Sequence, residues 1–323
     1  MRFNSDQIQK IGKEISSKVD GKTLFDEFSR GRYSTDASVY QIKPLGVVLP
    51  KDTNDVLSLM EYSQKNSVPL LARGGGSSQC GQTVGESVVL DYSKHQNKIL
   101  ELNVEEKYVW VQPGVVLDHL NAYLKPHGLW FPVDVSTSSR ATIGGMSANN
   151  SCGSRSLYYG NMVHNVLAIE AILDDGSIFN FDQINKNYLA TKNNQDRLYK
   201  IIDKFIDVRQ QVGGEIDANW PTTQRRVGGY NIDLIDPEGF NSSNLLVGSE
   251  GTLSLFNKIK LKLSEIPKNK ILGVCYFDNF HQAMELSKEI VKLKPTCVEL
   301  MDQNLLNLAK EIPMYAGGIK KYI

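Results

Sequence analysis

The stretch "LLARGGGSSQCGQTVG", residues 70–85, decides how this sequence is interpreted. The apolar run "VPLLAR" (68–73) predicts a strand, and three consecutive glycines follow where that strand ends. Glycines at a strand end present successive backbone N–H groups without a Cβ in the way, and such a nest suits a phosphate or pyrophosphate. Arg73 adds a positive charge in front of the glycines. A flexible surface turn is the alternative, because a short glycine pattern is weak evidence on its own.

Two common nucleotide-binding patterns are excluded. Gln79 stands where G-x-G-x-x-G requires its third glycine, and "GKT" at residues 21–23 lacks the upstream glycine of a P-loop. A nucleotide would therefore be held by another architecture.

Composition limits the function classes. The chain has 323 residues, which favours two lobes over one core, and it has 36 basic and 36 acidic residues, so no charge excess recruits nucleic acid. Its four cysteines form no C-x-x-C pattern, and no apolar run reaches the ~18 residues of a membrane span. These features predict a cytoplasmic protein without a metal site, a nucleic-acid partner or a membrane span, and they leave peripheral membrane association open.

Strands and helices are predicted to alternate. "PLGVVLP" (44–50) predicts a strand, and Asp52 or Thr53 could cap the helix that follows. Three β-rich runs at 87–93, 98–103 and 107–114 predict an antiparallel sheet. The remaining predictions are a helix over 117–124, a hairpin over 165–181, a helix over 195–211 and two strands within 244–263.

The pattern changes after Pro267. A strand is predicted at 271–277, a helix at 281–294 and a strand at 297–302, which together begin a second β-α-β lobe. So short a lobe would bury little of its sheet, so it either docks on the first lobe or continues in a longer chain.

Two further stretches resemble ligand loops. "PVDVSTSSRATIGGMSANNSCGS" (132–154) has no period and offers many hydroxyls and amides to a polar heterocycle. A long irregular loop is the alternative, although loops longer than ~12–15 residues are uncommon unless functional or disordered. "GSEGT" (248–252) places a carboxylate between glycines, and by itself it would be a hairpin turn.

The three stretches together resemble one family. "ARGGGSSQCGQ", "TIGGMSANNSCG" followed by "YYGN", and "VGSEGTLSLF" occur in the order and at the separations found in the FAD-binding domain of the vanillyl-alcohol oxidase superfamily. "GRYSTDASVYQIKPLGVVLPKDTNDV" (31–56) and "GYNIDLI" are similar to the glycolate oxidase, D-lactate dehydrogenase and D-2-hydroxyglutarate dehydrogenase branch.

The resemblance implies an α+β fold, with a two-subdomain FAD-binding domain of the PCMH type followed by the start of a β-α-β substrate lobe. The expected division is an N-terminal helical segment at 1–40, the FAD-binding domain at 41–266 and an incomplete substrate lobe at 267–323.

It also implies a set of FAD-binding residues. The first loop would wrap the pyrophosphate, the second would line the flavin and ribityl chain, and the third would lie near the cofactor. The residues at the matching positions are Arg73, Gly74, Gly75, Gly76, Ser77, Ser78, Asp134, Thr142, Gly144, Gly145, Ser147, Asn150, Gly153, Gly160, Glu250 and Gly251.

Some members of the family attach FAD covalently through a histidine of the first loop. Ser77 occupies that position in this chain, so non-covalent FAD is expected.

The activity implied is oxidation of a small 2-hydroxy acid to the 2-oxo acid, with an electron acceptor of unassigned identity. The histidine-rich metal motif of related dehydrogenases is absent, and the five histidines show no metal-ligand spacing. Arg226 and Tyr230, with the neighbouring Arg225, are the candidates for reaching substrate, and a solvated arginine pair beside a turn is the alternative. No catalytic base is assigned.

Two functional hypotheses remain. The chain is part of a working flavoenzyme, completed by a second polypeptide or by further sequence, or it is a flavin-binding module or electron-transfer subunit without turnover of its own.

Overall fold

The structure is a computed structural model that describes residues 3–191, 195–223 and 225–322. Within these residues the strands are β1 Lys22–Leu24, β2 Gly46–Leu49, β3 Leu70–Arg73, β4 Val88–Asp91, β5 Ile99–Asn103, β6 Tyr108–Val111, β7 Leu129–Trp130, β8 Val166–Ile172, β9 Ile178–Phe181, β10 Gln183–Asn185, β11 Gly239–Asn241, β12 Leu255–Lys262 and β13 Ser264–Glu265. The helices are α1 Ser5–Ser16, α2 Glu27–Arg32, α3 Thr53–Asn66, α4 Leu117–Leu124, α5 Ile143–Asn149, α6 Ser156–Tyr159, α7 Met162–Asn165, α8 Lys186–Ala190, α9 Arg197–Gln211, α10 Gly213–Asn219, α11 Phe280–Lys292, α12 Gln303–Glu311 and α13 Pro313–Tyr322.

The first sheet has the strand order β1-β2-β4-β3. Its last three strands are parallel, and α3 connects β2 to β3. The predicted cap of α3 is confirmed, because the Asp52 side chain accepts hydrogen bonds from the backbone N–H groups of Asn54 and Asp55.

One strand assignment from the sequence is wrong. The run at 87–93 was expected in an antiparallel sheet, but β4 lies between β2 and β3 and is parallel to both. All four residues of β4 are buried, as expected for a strand covered on both faces. Burial of every residue separates β4 from β6, in which half-buried and buried residues alternate.

The second sheet has the order β5-β6-β12-β8-β9, and every pairing in it is antiparallel. The predicted pairing of 98–103 with 107–114 and the hairpin over 165–181 are confirmed. Helix α9 matches the helix predicted at 195–211 and packs on a separate small cluster with β10 and β11. The largest apolar cluster covers one face of this sheet.

The N-terminal segment packs against the first sheet. Ile8, Ile11 and Ile15 of α1 are buried in the same apolar cluster as Val48 and Leu90. Strand β1 pairs antiparallel with β2 at the edge of that sheet. The segment therefore shares its core with the first sheet.

The second and third loops contain structure that the sequence did not predict. Helix α5 lies inside the stretch 132–154, whose sequence shows no helical period. Two adjacent glycines, Gly144 and Gly145, mask its helical propensity. The first of the two strands expected within 244–263 is a 3-10 turn over Ser242–Leu245, so "GSEGT" leads from that turn into β12.

The last segment departs from the predicted β-α-β lobe. Helix α11 agrees with the prediction at 281–294, but neither 271–277 nor 297–302 is a strand. A strand needs a hydrogen-bonded neighbour, and among the described residues no other segment pairs with these two. Their apolar side chains remain exposed; Ile271 is 97% accessible and Leu272 is 82% accessible.

Candidate functional site

A cavity of about 480 Å³ lies between the two sheets. Strand β3 and the first glycine loop form one wall, the start of β12 forms another, and α5 with the loop before it closes a third side. All four residues of β3, an edge strand of the first sheet, are half-buried, and all four line this cavity. The three motifs of the sequence thus meet around one space.

The first glycine loop packs directly on the second loop. A Cβ atom on Gly74 would lie 2.0 Å from Thr142 Oγ1, and one on Gly75 would lie 2.3 Å from the carbonyl oxygen of Arg140. Gly76 has φ +63°, in the left-handed region that favours glycine. The glycines are therefore required by close loop contact as well as by backbone conformation.

Arg73 uses its guanidinium to hold the chain around this loop. It donates hydrogen bonds to the carbonyl oxygens of Tyr33 (3.3 Å), Thr83 (3.2 Å) and Thr35 (2.8 Å). The guanidinium also lies over the Tyr33 ring, 5.2 Å from its centroid. Burial lowers the pKa of the Arg73 guanidinium. Arg73 lines the cavity, but three of its N–H groups already donate to backbone carbonyls.

The second loop contributes small polar groups. Thr142, Gly144 and Gly145 line the cavity, and Thr142 Oγ1 caps α5 by accepting a hydrogen bond from the backbone N–H of Gly145 at 3.3 Å. Thr137 donates from its hydroxyl to Ser77 Oγ at 3.4 Å, which links the two loops. Ser77 therefore faces the cavity with a hydroxyl and no ionisable group.

Glu250 of the third motif lies beside the second loop. Its carboxylate accepts hydrogen bonds from Asn149 Nδ2 at 2.9 Å and from Gln82 Nε2 at 3.5 Å. Burial raises the pKa of the Glu250 carboxyl, and the two amide donors oppose that rise. Glu250 and Gly251 both line the cavity.

Five residues of the predicted FAD set do not line the cavity but support its walls. Asp134 accepts hydrogen bonds from the backbone of Arg155 and the hydroxyl of Ser154. Asn150, at φ +52°, ends α5 and accepts from the backbone N–H of Val163 at 3.0 Å. The five are Asp134, Ser147, Asn150, Gly153 and Gly160.

Ser147 is fully buried, and its hydroxyl has no partner among the described residues. Gly153 packs on Asp134, whose carbonyl oxygen would lie 2.1 Å from a Cβ there. Gly160 has φ +78° and lies against the His164 ring. Gly153 and Gly160 therefore allow close packing around the second loop without lining the cavity.

The substrate-side candidates lie outside the cavity lining. Arg226 forms a short ion pair with Asp233, and Tyr230 shares a hydrogen bond of 2.8 Å with Thr252 Oγ1. The neighbouring Arg225 instead points two donors at Cys152 Sγ, at 3.3 and 3.1 Å, and Cys152 lines the cavity. Of the two arginines, Arg225 rather than Arg226 therefore contacts a residue that lines the cavity, and it lies at the cavity opening.

Several lining residues were not predicted individually. Gln82, Ser136, Thr137, Asn149 and Cys152 all fall inside stretches that the sequence singled out, so their motif was the available signal. Two other lining residues had a weaker signal in the sequence. Tyr92 directly follows β4, and Ser254 directly precedes β12, so each is a polar residue at the end of a strand.

The lining fits FAD. It combines a glycine loop rich in backbone N–H groups, apolar side chains from β3 and β12, and scattered hydroxyls and amides. Two buried lining hydroxyls, those of Tyr92 and Ser254, have no partner among the described residues. Unpaired buried groups inside a cavity indicate that a polar ligand belongs there.

Within the described ranges, no group of three or more His, Cys, Asp or Glu residues is arranged to hold a metal ion. Over the same residues, no helix combines the length and the apolar character that crossing a bilayer requires.

Comparison with known proteins agrees with this site. Residues 44–182 match the family model of the FAD binding domain. The chain is 35% identical over 301 residues to D-2-hydroxyglutarate dehydrogenase of Escherichia coli, covering 90% of this chain and 29% of that protein. It is 30% identical over 306 residues to glycolate oxidase subunit GlcD of Bacillus subtilis, covering 93% of this chain and 55% of that subunit.

Among solved structures, alkyldihydroxyacetonephosphate synthase superposes with a TM-score of 0.62 at 18% identity, covering 90% of this chain and 47% of that one. This likeness concerns the fold alone. The FAD-binding domain predicted from the three motifs, and its α+β fold, are thereby confirmed. The chain spans 28–30% of the length of the D-2-hydroxyglutarate dehydrogenases it matches.

Proposed function

We propose that this chain is the FAD-binding part of an oxidoreductase that converts a D-2-hydroxy acid to the 2-oxo acid, with D-2-hydroxyglutarate first among the candidates and D-lactate and glycolate next. The observation that carries the proposal is the cavity at which all three motifs of the FAD-binding domain meet. The similarity to D-2-hydroxyglutarate dehydrogenases over 90% of the chain supports the substrate class.

FAD, when bound, supplies an acceptor for the hydrogen and electron pair that leave the substrate Cα. The chain's own residues bind and orient it. Backbone N–H groups of residues 74–78 would hold the pyrophosphate, and the carboxyl of Glu250 with Asn149 would hold the flavin side. Arg225, beside the opening, offers a cation for a substrate carboxylate.

A second candidate function is a flavin-binding module without turnover of its own. The observation in its favour is the segment after β13, where neither 271–277 nor 297–302 is a strand and both expose apolar side chains. In this view a second polypeptide, or further sequence, completes the substrate side of the site. The chain's coverage of 28–30% of its dehydrogenase relatives agrees with that view.

Anaerobic stopped-flow spectroscopy separates the two functions. The chain is loaded with FAD, and absorbance near 450 nm is followed after addition of D-2-hydroxyglutarate, D-lactate or glycolate, with L-2-hydroxyglutarate as the stereochemical control. Bleaching by a D-acid or glycolate alone supports the oxidoreductase. Absence of bleaching with every acid, at full FAD occupancy, contradicts turnover by this chain and supports the binding module.

The cellular location we propose is cytoplasmic. Its support is that Cys80, Cys152, Cys275 and Cys297 are all free, as expected in a reducing compartment. Fractionation of the source cells, with a cytoplasmic marker enzyme beside it, tests this location.

A further inference from the structure

Two buried hydroxyls in the cavity stand out because nothing in the described part of the chain pairs with them. Tyr92 is 6% accessible and Ser254 is 7% accessible, and neither Tyr92 Oη nor Ser254 Oγ has a hydrogen-bond partner there. A buried hydroxyl without a partner costs about 1–3 kcal/mol, so native structures seldom keep one without a reason. Both residues line the cavity, which makes a bound ligand the natural partner.

The two residues come from the two different sheets. Tyr92 directly follows β4, and its backbone N–H donates to the carbonyl oxygen of Arg73 at 3.1 Å, beside the end of β3. Ser254 directly precedes β12 of the second sheet, and Leu255 after it packs in the same apolar cluster as Tyr92. Tyr92 and Ser254 therefore lie on the buried side of the cavity, between the two sheets. We call this side the floor of the cavity.

The surroundings of these hydroxyls are apolar. Leu70, Ala72 and Leu255 pack in the same apolar cluster as Tyr92, and the cavity lining also includes Leu71, Pro113 and Phe256. Burial raises the pKa of the Tyr92 phenol, so it remains a neutral donor at physiological pH. Such a pocket suits a neutral, flat group with a few hydrogen-bonding atoms, and it suits a phosphate poorly.

Position favours the adenine end of FAD over the flavin end. Both halves of FAD are joined to its pyrophosphate, so the choice between them rests on burial, and Tyr92 and Ser254 are only 6% and 7% accessible. The reactive ring must meet substrate, so we place it at the exposed part of the lining, which includes Asn149, Gly251 and Val227. The adenine is then left for the floor of the cavity, where Tyr92 and Ser254 lie. This step rests on the proposed function, because it assumes that the flavin end is the reacting end.

We propose that Tyr92 Oη and Ser254 Oγ form the adenine-recognition site of this chain and hydrogen-bond the nitrogen atoms of the base. Adenine offers ring nitrogens as acceptors and its amino group as a donor, and a hydroxyl can serve both. The two residues would then favour FAD over mononucleotides such as FMN.

The experiment measures FAD binding to the apo chain by quenching of flavin fluorescence, independently of any turnover. Tyr92→Phe and Ser254→Ala should each raise the Kd for FAD about 3- to 10-fold, the effect of one lost hydrogen bond. Neither variant should lower the melting temperature of the apo chain, because each removes a hydroxyl that has no partner there.

Ser87→Ala is the matched control. Ser87 is a buried serine at 6% accessibility that lies outside the three motifs and does not line the cavity, so the FAD affinity of this variant should equal that of the wild type. Tyr199→Phe controls for loss of a buried phenol, since Tyr199 Oη donates to the carbonyl oxygen of Leu189 away from the site.

ADP and FMN, which each represent one half of FAD, then show which half contacts Tyr92 and Ser254. Under the proposal, Tyr92→Phe weakens protection of the apo chain against thermal unfolding by ADP and leaves protection by FMN unchanged. Unchanged FAD affinity in both cavity variants would overturn the proposal and leave bound water as the partner. If Tyr92→Phe weakened protection by FMN and left protection by ADP unchanged, the proposal would be overturned, because the hydroxyls would then contact the flavin. Failure of the wild type to bind FAD would refute the proposed function itself.

Discussion

Thr142 Oγ1 lies 2.0 Å from the place where a Cβ atom on Gly74 would stand. Two loops that are almost 70 residues apart in sequence thus meet without space for one methyl group. The same threonine hydroxyl caps α5, so the contact fixes the first glycine loop to the start of the helix in the second.

Gly74→Ala is expected to separate these loops. The added methyl group overlaps Thr142 Oγ1, and overpacking of this kind costs about 1–3 kcal/mol of unfolding free energy. We expect a lower melting temperature and weaker FAD binding, measured by thermal unfolding and fluorescence titration. Gly85→Ala is the control, because the nearest atom to a Cβ there is 3.5 Å away. Wild-type stability and affinity in Gly74→Ala would show that the loops can move apart without cost.

Arg73→Ala is expected to destabilise the apo chain as well as weaken FAD binding. The change leaves the carbonyl oxygens of Tyr33, Thr35 and Thr83 without their donor, at a cost of about 1–3 kcal/mol. Arg73→Lys should rescue little, because an ammonium does not reproduce the planar fork of the guanidinium. The melting temperature of the apo variants and their Kd for FAD check this. A loss of affinity at an unchanged apo melting temperature would show instead that Arg73 contacts the pyrophosphate directly.

Glu250 should make stability depend on pH. Burial raises its pKa in the folded chain above the ordinary value of 4.5, so between those two values the folded state holds more protons than the unfolded state. The contribution of Glu250 to stability is therefore present below pH 4.5 and is lost as pH rises through the folded pKa. Melting temperatures of wild type and Glu250→Gln from pH 4 to 7.5 should show a decline in the wild type that the variant lacks. Parallel curves would contradict a raised pKa.

The flavin is expected to leave the chain on denaturation. Ser77 lines the cavity at the position where some relatives carry the attaching histidine, and its hydroxyl is held by Thr137. After acid precipitation of the FAD-loaded chain, the yellow colour should appear in the supernatant. A yellow pellet after repeated washing would demonstrate a covalent bond and refute the prediction.

The sequence revealed the site more completely than the sheets around it. Glycine runs and the acidic "GSEGT" turn are local signals, and 11 of the 16 predicted cofactor residues line the cavity. The five others, such as Asn150, are of the same residue types, but they support the walls of the cavity without lining it. The position of each residue in the folded loops separates the two groups, and in the second loop this position depends on where α5 begins and ends.

The direction of β4 could not be read from its residues. The apolar run at 88–90 predicts a buried strand, but its parallel pairing depends on two connections: α3 makes β3 run parallel to β2, and the glycine loop then returns the chain to the start of β4. Similarly, 271–277 has the composition of a strand but lacks a neighbouring strand among the described residues. Tyr92 and Ser254 were missed because their significance arises only where two sheets meet.

The half-buried face of β3 has a thermodynamic consequence. Leu70, Leu71 and Ala72 line the cavity from the edge strand of a sheet whose two central strands are well covered, so bound ligand would supply the layer that covers them. Ligand that binds only the folded chain adds RT ln(1 + [L]/Kd) to its stability, about 2.7 kcal/mol at a free concentration of 100 Kd. The cellular supply of flavin dinucleotide thereby helps set how much of this polypeptide survives proteolysis, before any question of turnover arises.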